Sequence, residues 1–455
     1  LGISVWVALL LSGLTAYLWL RDWTGRHLAP ALAAILYLFI PYHLKTDLYT
    51  REALAEFWAF VWMPLILYFI KRLIASPNRA VLVGLSASFA LLLATHLFTS
   101  LIFAPVMLLY AWFLSGRDRV RCLSSTVLAM ALGAALCAVY VLPALAFQKY
   151  ISPYKLIDVR PDYVFDRNFL LSSQMLSNDY LRSISWFTVW TVVVAAGFFL
   201  TSLVRSSRIV RRENLFWAAT GLLSFAMMLP VSKPVWKLVP VLQAIQFPSR
   251  FNTLTTLATV ALAAGAIASL RRVRDWRQFA LLAGTSALAI AWIYPTAVAM
   301  SYQHPWVSRV ESVYVDYLIT DWAQWTDPKL LSTRGIPMTP ERNAKILAEG
   351  GAAVVKKWAP RSIEFQIDNP SDSWITVKQF YFPGWNATLD NARVLPMRPS
   401  SPEGLIAIKV PAGENDVHLE LVHGLAEKSG VTVSALTFLA LGFFASARKS
   451  VRAKS

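Results

Sequence analysis

The amino-acid sequence predicts a polytopic α-helical membrane protein of about eleven spans, with a small extracytoplasmic β-sandwich-like domain before the last span. Three observations predict it. The chain of 455 residues is 56% hydrophobic and 15% charged, with a mean hydropathy of +0.49, whereas soluble domains are about 45–50% apolar and about 25% charged. Apolar runs near the length of a bilayer crossing recur along the chain. One long polar insertion, at 301–428, changes to alternation at period 2.

The spans are expected at 3–20, 28–42, 54–70, 80–95, 97–114, 122–147, 185–204, 214–230, 251–270, 278–299 and 431–447. Three domains follow: residues 1–300 with ten spans, the mostly-β domain 301–428, and 429–455 with the final span and a basic tail. Cys122 and Cys137 fall in one apolar run. On one helix they would stand about 22 Å apart, too far for a disulfide. The net charge of +17 is carried by short basic clusters between apolar runs, the pattern of cytoplasmic loops, so nucleic acid is excluded as a partner and the lipid bilayer is the expected one.

Lysine and arginine set the orientation. The loops around Arg21, Arg72, Arg119, Arg211 and Arg272, with the tail after 447, hold twenty basic residues, against ten in the opposite short loops. The first set is therefore read as cytoplasmic and 301–428 as outside. Leu1 then starts an inward-going helix, and a further span with an outer loop is expected before it. The outer segments are 43–53, the turn at His96, 148–184, 231–250 and 301–428. Pro234, Pro240 and Pro248 forbid a single helix over 231–250, which reads as a re-entrant piece with Trp236 and Phe247 at headgroup level. Residues 169–181 read as a helix on the membrane surface. In the outer domain a short helix is expected at 340–350, strands at 361–367, 374–380, 392–398, 404–410 and 415–422, and a turn at 381–385.

Chemistry concentrates in the first outer segment. Asp47, Tyr49, Arg51, Glu52 and Glu56 crowd into ten residues at a membrane boundary, where charge must be solvated, paired or used. Spacing i,i+4 puts Glu52 and Glu56 on one face of the third span, repelling by about 0.2–0.5 kcal/mol in water. They read as a polar site with Arg51 as counter-charge or phosphate ligand. The plainer reading has Asp47 and Glu52 favouring a helix N-terminus while Arg51 snorkels; it explains Glu56 worst, a turn deeper. His96 is either a proton carrier or phosphate ligand or a surface histidine in a turn with Thr95 and Thr99. Arg250, ahead of an inward helix, suits either a phosphate or lipid headgroups. Asp158, Asp162 and Asp166 recur every four residues, but Pro161 interrupts them and no metal geometry follows. Trp358, Trp374, Tyr381 and Trp385 are either sugar-stacking or core residues.

With the acidic stretch, Gln246-Phe-Pro-Ser-Arg-Phe251, Tyr381-Phe-Pro-Gly-Trp385 and the last span in place, the chain resembles bacterial membrane proteins of the GT-C glycosyltransferase superfamily. Within them it is most similar to the 6-pyruvoyl-tetrahydropterin synthase-related membrane family. That label does not imply pterin chemistry, since the zinc-binding histidines of the soluble synthase have no counterpart here. The resemblance implies transfer of a sugar from a polyprenyl-phosphate donor at the outer face of the bacterial plasma membrane. It implies catalytic roles among Glu56, Glu52 and Asp47, and substrate contacts from Tyr49, Arg51, His96 and Arg250. The usual catalytic base of the superfamily lies in the first outer loop, expected here before Leu1. A divalent cation can assist such a reaction, but no ligand set for it is legible and the cofactor stays open. Two rivals stay open: a transporter or flippase for lipid-linked sugars, and a non-catalytic assembly protein for envelope polysaccharide.

Overall fold

A computed structural model describes residues 2–25, 27–148, 164–203, 206–269, 345–348, 351–390, 392–400 and 404–446, with isolated positions between 280 and 291. The expected span at 278–299 and the pair Asp158 and Asp162 lie largely or wholly outside these residues. The chain divides into a unit made of Leu1–Val141, Asp162–Trp306 and Thr432–Ser455, and a unit made of Leu142–Pro161 and Val307–Val431.

In the first unit α1 (Gly2–Thr24) and α2 (Leu28–Phe39) are followed by a π-helix, Tyr42–Thr50. Pro41 ends the α-helical ladder, so the expected span 28–42 becomes a short α-helix continued by wider π turns. Next come α3 (Leu54–Ala75), α4 (Arg79–Thr95), α5 (Leu97–Leu114), α6 (Arg119–Leu136) and α7 (Ala138–Phe147). The expected continuous span 122–147 breaks at Cys137, and both cysteines are free thiols. Gly133 on α6 lets that helix lie against α4: a Cβ there would fall 2.7 Å from the Ser86 carbonyl oxygen, the small-residue contact that membrane helices favour.

α8 (Asp179–Leu203) and α9 (Arg208–Met228) follow, then α10 (Lys233–Leu238), α11 (Pro240–Gln243) and α12 (Asn252–Ser269). Among the described residues eight helices are long and apolar enough to cross a membrane, or nine if α9 and the stretch Pro230–Leu238, bent by 85° from it, form one broken span. α4 and α7 are shorter apolar helices. The bend at Pro230 fits the expected interruption of 231–250, but Trp236 corrects the rest of that reading. Its side chain is fully buried among Phe165, Phe169 and Phe251, and its Nε1–H donates to the Met227 carbonyl at 3.0 Å. The expected surface helix at 169–181 is also corrected. Phe169 and Leu170 are buried, Ser173–Ser177 is a 3₁₀ turn, and helix begins only at Asp179.

α12 is the centre of this unit. Nearly all its residues are buried, and it packs against α2, α8 and α9. Three of its four threonines, Thr253, Thr255 and Thr259, donate to a carbonyl of the preceding turn, while the Thr256 hydroxyl is buried without a partner among the described residues. The outer faces stay apolar: Ile3, Leu10, Leu222, Leu223 and Phe438 are among the exposed side chains, as lipid contact requires.

In the second unit β1 (Ile346–Leu347), β2 (Ala352–Ala359), β3 (Ser362–Asn369), β4 (Ser373–Phe380), β5 (Trp385–Leu389), β6 (Arg393–Val394), β7 (Met397–Pro399), β8 (Leu405–Val410) and β9 (Gly413–Leu421) are all antiparallel to their partners. Two sheets result, ordered β1-β4-β8-β7 and β2-β3-β9-β5-β6. Alternate residues of both meet in one core: Ile375, Val377, Ile406 and Ile408 from the first, and Ile363, Phe365, Val417 and Leu419 from the second. Gly384 takes φ +111 in the expected turn. The expected helix at 340–350 is corrected at Ile346–Leu347, which pair with Thr376 and Val377 as an edge strand. The last helix, α13 (Leu425–Ser446), leaves β9 after three residues.

Candidate functional site

The charged stretch folds into a closed turn. Arg51 N–H donates to Thr46 O and Ala53 N–H to Asp47 O. Glu52 adopts φ +50 between them, a left-handed conformation that costs a side-chain-bearing residue about 1–2 kcal/mol. That reversal carries Arg51 back over the π-helix and onto the first turn of α3. Its Nη1 donates to Asp47 Oδ1 and Glu56 Oε2, both at 2.8 Å. The Tyr42 hydroxyl donates to Glu56 Oε1 at 2.8 Å, so both oxygens of Glu56 are occupied. Asp47 and Glu56 are buried, at 0% and 1% exposure.

Two other segments bring a further cation and an imidazole to the same carboxylate. Phe247 N–H donates to Ile245 O across Gln246, at φ +65, and Arg250 Nη1 donates to that same carbonyl at 2.6 Å. The guanidinium lies over the rings of Phe98 and Phe247, with Nε 3.8 Å from Glu56 Oε2. His96 ends α4 and caps α5, its Nδ1 accepting from Thr99 N–H at 3.3 Å, as a shorter polar side chain would at an N-cap. The same Nδ1 lies 2.7 Å from Thr99 Oγ1, and the ring's Nε2 is 4.0 Å from Glu56 Oε2. Asp47 Oδ2 and Arg250 Nε are buried without a hydrogen-bond partner among the described residues. Two carboxylates and two guanidiniums balance, as burial demands.

Of the residues singled out in the sequence, Asp47, Arg51, Glu56, His96 and Arg250 thus meet in one cluster. Glu52 and Tyr49 do not. Glu52 precedes α3 and is exposed, so it shares no helix face with Glu56, and Tyr49 is 39% exposed. The snorkelling alternative for Arg51 is corrected too, since its head group points inward to two acids. Asp166 pairs with Lys233 at 2.7 Å. Among the described residues no group of three or more His, Cys, Asp or Glu side chains converges to hold a metal.

Two features were missed in the sequence. Tyr42 reads as an ordinary interfacial tyrosine until the turn closes. At the other end of α3, about 22 Å along its axis, Lys71 pairs with Glu213 at 2.7 Å. Tyr110 donates to the same carboxylate at 2.9 Å and accepts from Trp19 Nε1 at 3.1 Å. This second buried cluster ties α1, α3, α5 and α9 together; the one cue was an acid, Glu213, inside a basic helix start.

No curated protein and no solved structure matches the chain. Residues 2–305 match the family described as 6-pyruvoyl-tetrahydropterin synthase related domain; membrane protein. The matched segment contains the whole Asp47–Arg51–Glu56–His96–Arg250 cluster and ends before the sandwich. The chain belongs to this 6-pyruvoyl-tetrahydropterin synthase-related family of membrane proteins.

Proposed function

We propose that the protein is a GT-C-type glycosyltransferase of the bacterial plasma membrane. In this reading it transfers a sugar from a polyprenyl-phosphate-linked donor to an envelope acceptor at the face opposite its basic loops. The observation that carries the reading is Glu56, a buried carboxylate within 4.0 Å of Arg51, Arg250 and His96. Buried ionisable groups at the end of a membrane helix mark substrate or ion sites, and a paired guanidinium cluster suits a phosphate.

The chemistry is a displacement at the anomeric carbon. The acceptor oxygen forms the new bond to that carbon while the bond to the phosphate oxygen breaks, and the lipid phosphate leaves with the electron pair. Arg250, whose Nε has no hydrogen-bond partner among the described residues, stabilises that charge. Asp47, whose Oδ2 has no hydrogen-bond partner among the described residues, is the carboxylate placed to take the acceptor proton. Glu56 holds Arg51 and Tyr42 in place. The basic loops, read as cytoplasmic, support an outer location for the cluster and for the sandwich.

The test uses membranes carrying the full protein and a radiolabelled polyprenyl-phosphate sugar. Glu56→Gln and Arg250→Gln each abolish transfer while membrane insertion is kept. Normal transfer by both variants overturns the assignment. A flippase for lipid-linked sugars is the second reading, favoured by the 85° break after Met228, because broken helices line many transport sites. Proteoliposomes that move a fluorescent lipid-linked sugar across the bilayer without transferring it would favour this second reading.

A further inference from the structure

The sandwich sorts charge by sheet. β4, β7 and β8 carry Lys378, Arg398 and Lys409, and the strands of this four-stranded sheet contain no acid. The five-stranded sheet carries Glu364, Asp368, Glu414, Asp416 and Glu420 against Lys356, Lys357 and Arg393. Since the core faces of both sheets are apolar, this contrast is displayed outward.

The outer face of the four-stranded sheet has an aromatic centre. Ile375, Val377, Ile406 and Ile408 point into the core, so Trp374, Thr376, Ala407 and Lys409 point out. Trp374 stands opposite Lys409, and Ala407 is flanked by Thr376 and Arg398. The Arg398 guanidinium lies 4.1 Å from the Trp374 ring centroid, yet the indole remains 38% exposed. Ala407, between Thr376 and Arg398, is itself 5% exposed, so the accessible part of this face is Trp374 with the cations around it. The neighbouring acid, Asp372, precedes β4 and its Oδ1 accepts from Ala412 N–H. Trp385, by contrast, is 4% exposed and belongs to the core.

We propose that this face binds an acidic saccharide chain, a sugar ring lying against Trp374 while Arg398 and Lys409 hold its carboxylates or phosphates. An aromatic face takes the apolar C–H side of a sugar, and a guanidinium fork matches planar anions. Lipid headgroups are the other source of anions, and the exposed Trp374 ring among the cations favours a saccharide over them. The proposal stands apart from the chemistry at Glu56, and its test reads binding alone.

The test uses the full chain in nanodiscs of zwitterionic phosphatidylcholine, with polygalacturonate oligosaccharide and neutral maltohexaose as probes. The acidic probe binds, more weakly as salt rises, and the neutral one binds at least tenfold more weakly. Trp374→Ala and the pair Arg398→Gln/Lys409→Gln each weaken binding of the acidic probe at least tenfold, with thermal unfolding unchanged. Glu364→Gln/Asp416→Asn on the other sheet leaves binding as it was. Equal binding of both probes, or unchanged affinity in Trp374→Ala, overturns the proposal. So does polyglutamate binding as tightly as the saccharide, or vesicles containing phosphatidylglycerol binding through the same three residues in its place.

Discussion

Tyr42 and Glu56 are joined by a 2.8 Å hydrogen bond from the phenol to Oε1, the carboxylate oxygen that Arg51 leaves unoccupied. The bond ties the start of the π-helix to the first turn of α3. A hydrogen bond to a buried charge contributes about 1.5–3 kcal/mol. Tyr42→Phe is expected to lower stability by that amount, read as a shift in thermal unfolding of the purified protein in detergent, with no change in the helical content of the folded state.

Arg51 serves two acids through one nitrogen. Glu56→Ala leaves two guanidiniums and an imidazole facing a void, and breaking a buried ion pair in this way costs about 3–5 kcal/mol. In a double-mutant cycle, Arg51→Met and Glu56→Gln should be coupled by about 0.5–3 kcal/mol. Additive losses would show that the contact carries no stability of its own.

The Lys71–Glu213 pair makes a separate prediction at the far end of α3. Glu213 has 0% exposure and receives Tyr110 as well. Lys71→Met therefore strands a carboxylate and should destabilise by about 3–5 kcal/mol, whereas Lys71→Met with Glu213→Gln recovers part of the loss. Detergent unfolding of the three variants gives the comparison.

Gly265 on α12 faces Asn214 on α9. A Cβ there would fall 2.1 Å from Asn214 Oδ1, so Gly265→Ala should cost about 1–3 kcal/mol by overpacking. Both amide atoms of Asn214 are buried without a hydrogen-bond partner among the described residues. Asn214→Ala in the same chain is thus expected to restore most of the lost stability.

On the sandwich, Lys357 hydrogen-bonds Glu364 across β2 and β3 at 3.1 Å and lowers its carboxyl pKa below the ordinary glutamate value. A depressed value means that the contribution is present above the ordinary glutamate range, near pH 4.3. It is lost as pH falls through the folded-state value. Glu364→Gln should flatten the acid limb of a pH–stability curve below about pH 4.5. The effect is small because the pair is exposed and screened.

Much of the architecture could be read without coordinates because lipid imposes a single rule on the backbone. Bilayer-length apolar runs form helices because each can satisfy its own hydrogen bonds. Most of the strands in the sandwich follow from period-2 alternation, since one face of each is buried. The errors have local causes. Trp236 looks interfacial in sequence but caps the Met227 carbonyl inside the bundle. Ile346–Leu347 read as helix until β4 supplies a partner, and β2 (Ala352–Ala359) had no alternation to announce it, its burial running weakly along an edge.

The sequence by itself determined that charge would gather beside α3, and which residue types would be there. Five of the seven residues it singled out meet in one cluster around Glu56. Only the tertiary structure decided which five, because the choice rests on two left-handed residues. Glu52 at φ +50 turns its own side chain to the surface and Arg51 inward, and Gln246 at φ +65 does the equivalent for Arg250. Left-handed backbone at a glutamate or a glutamine is paid for by contacts distant in sequence. No local pattern announces it, and helical spacing from Glu52 to Glu56 points to the wrong pair.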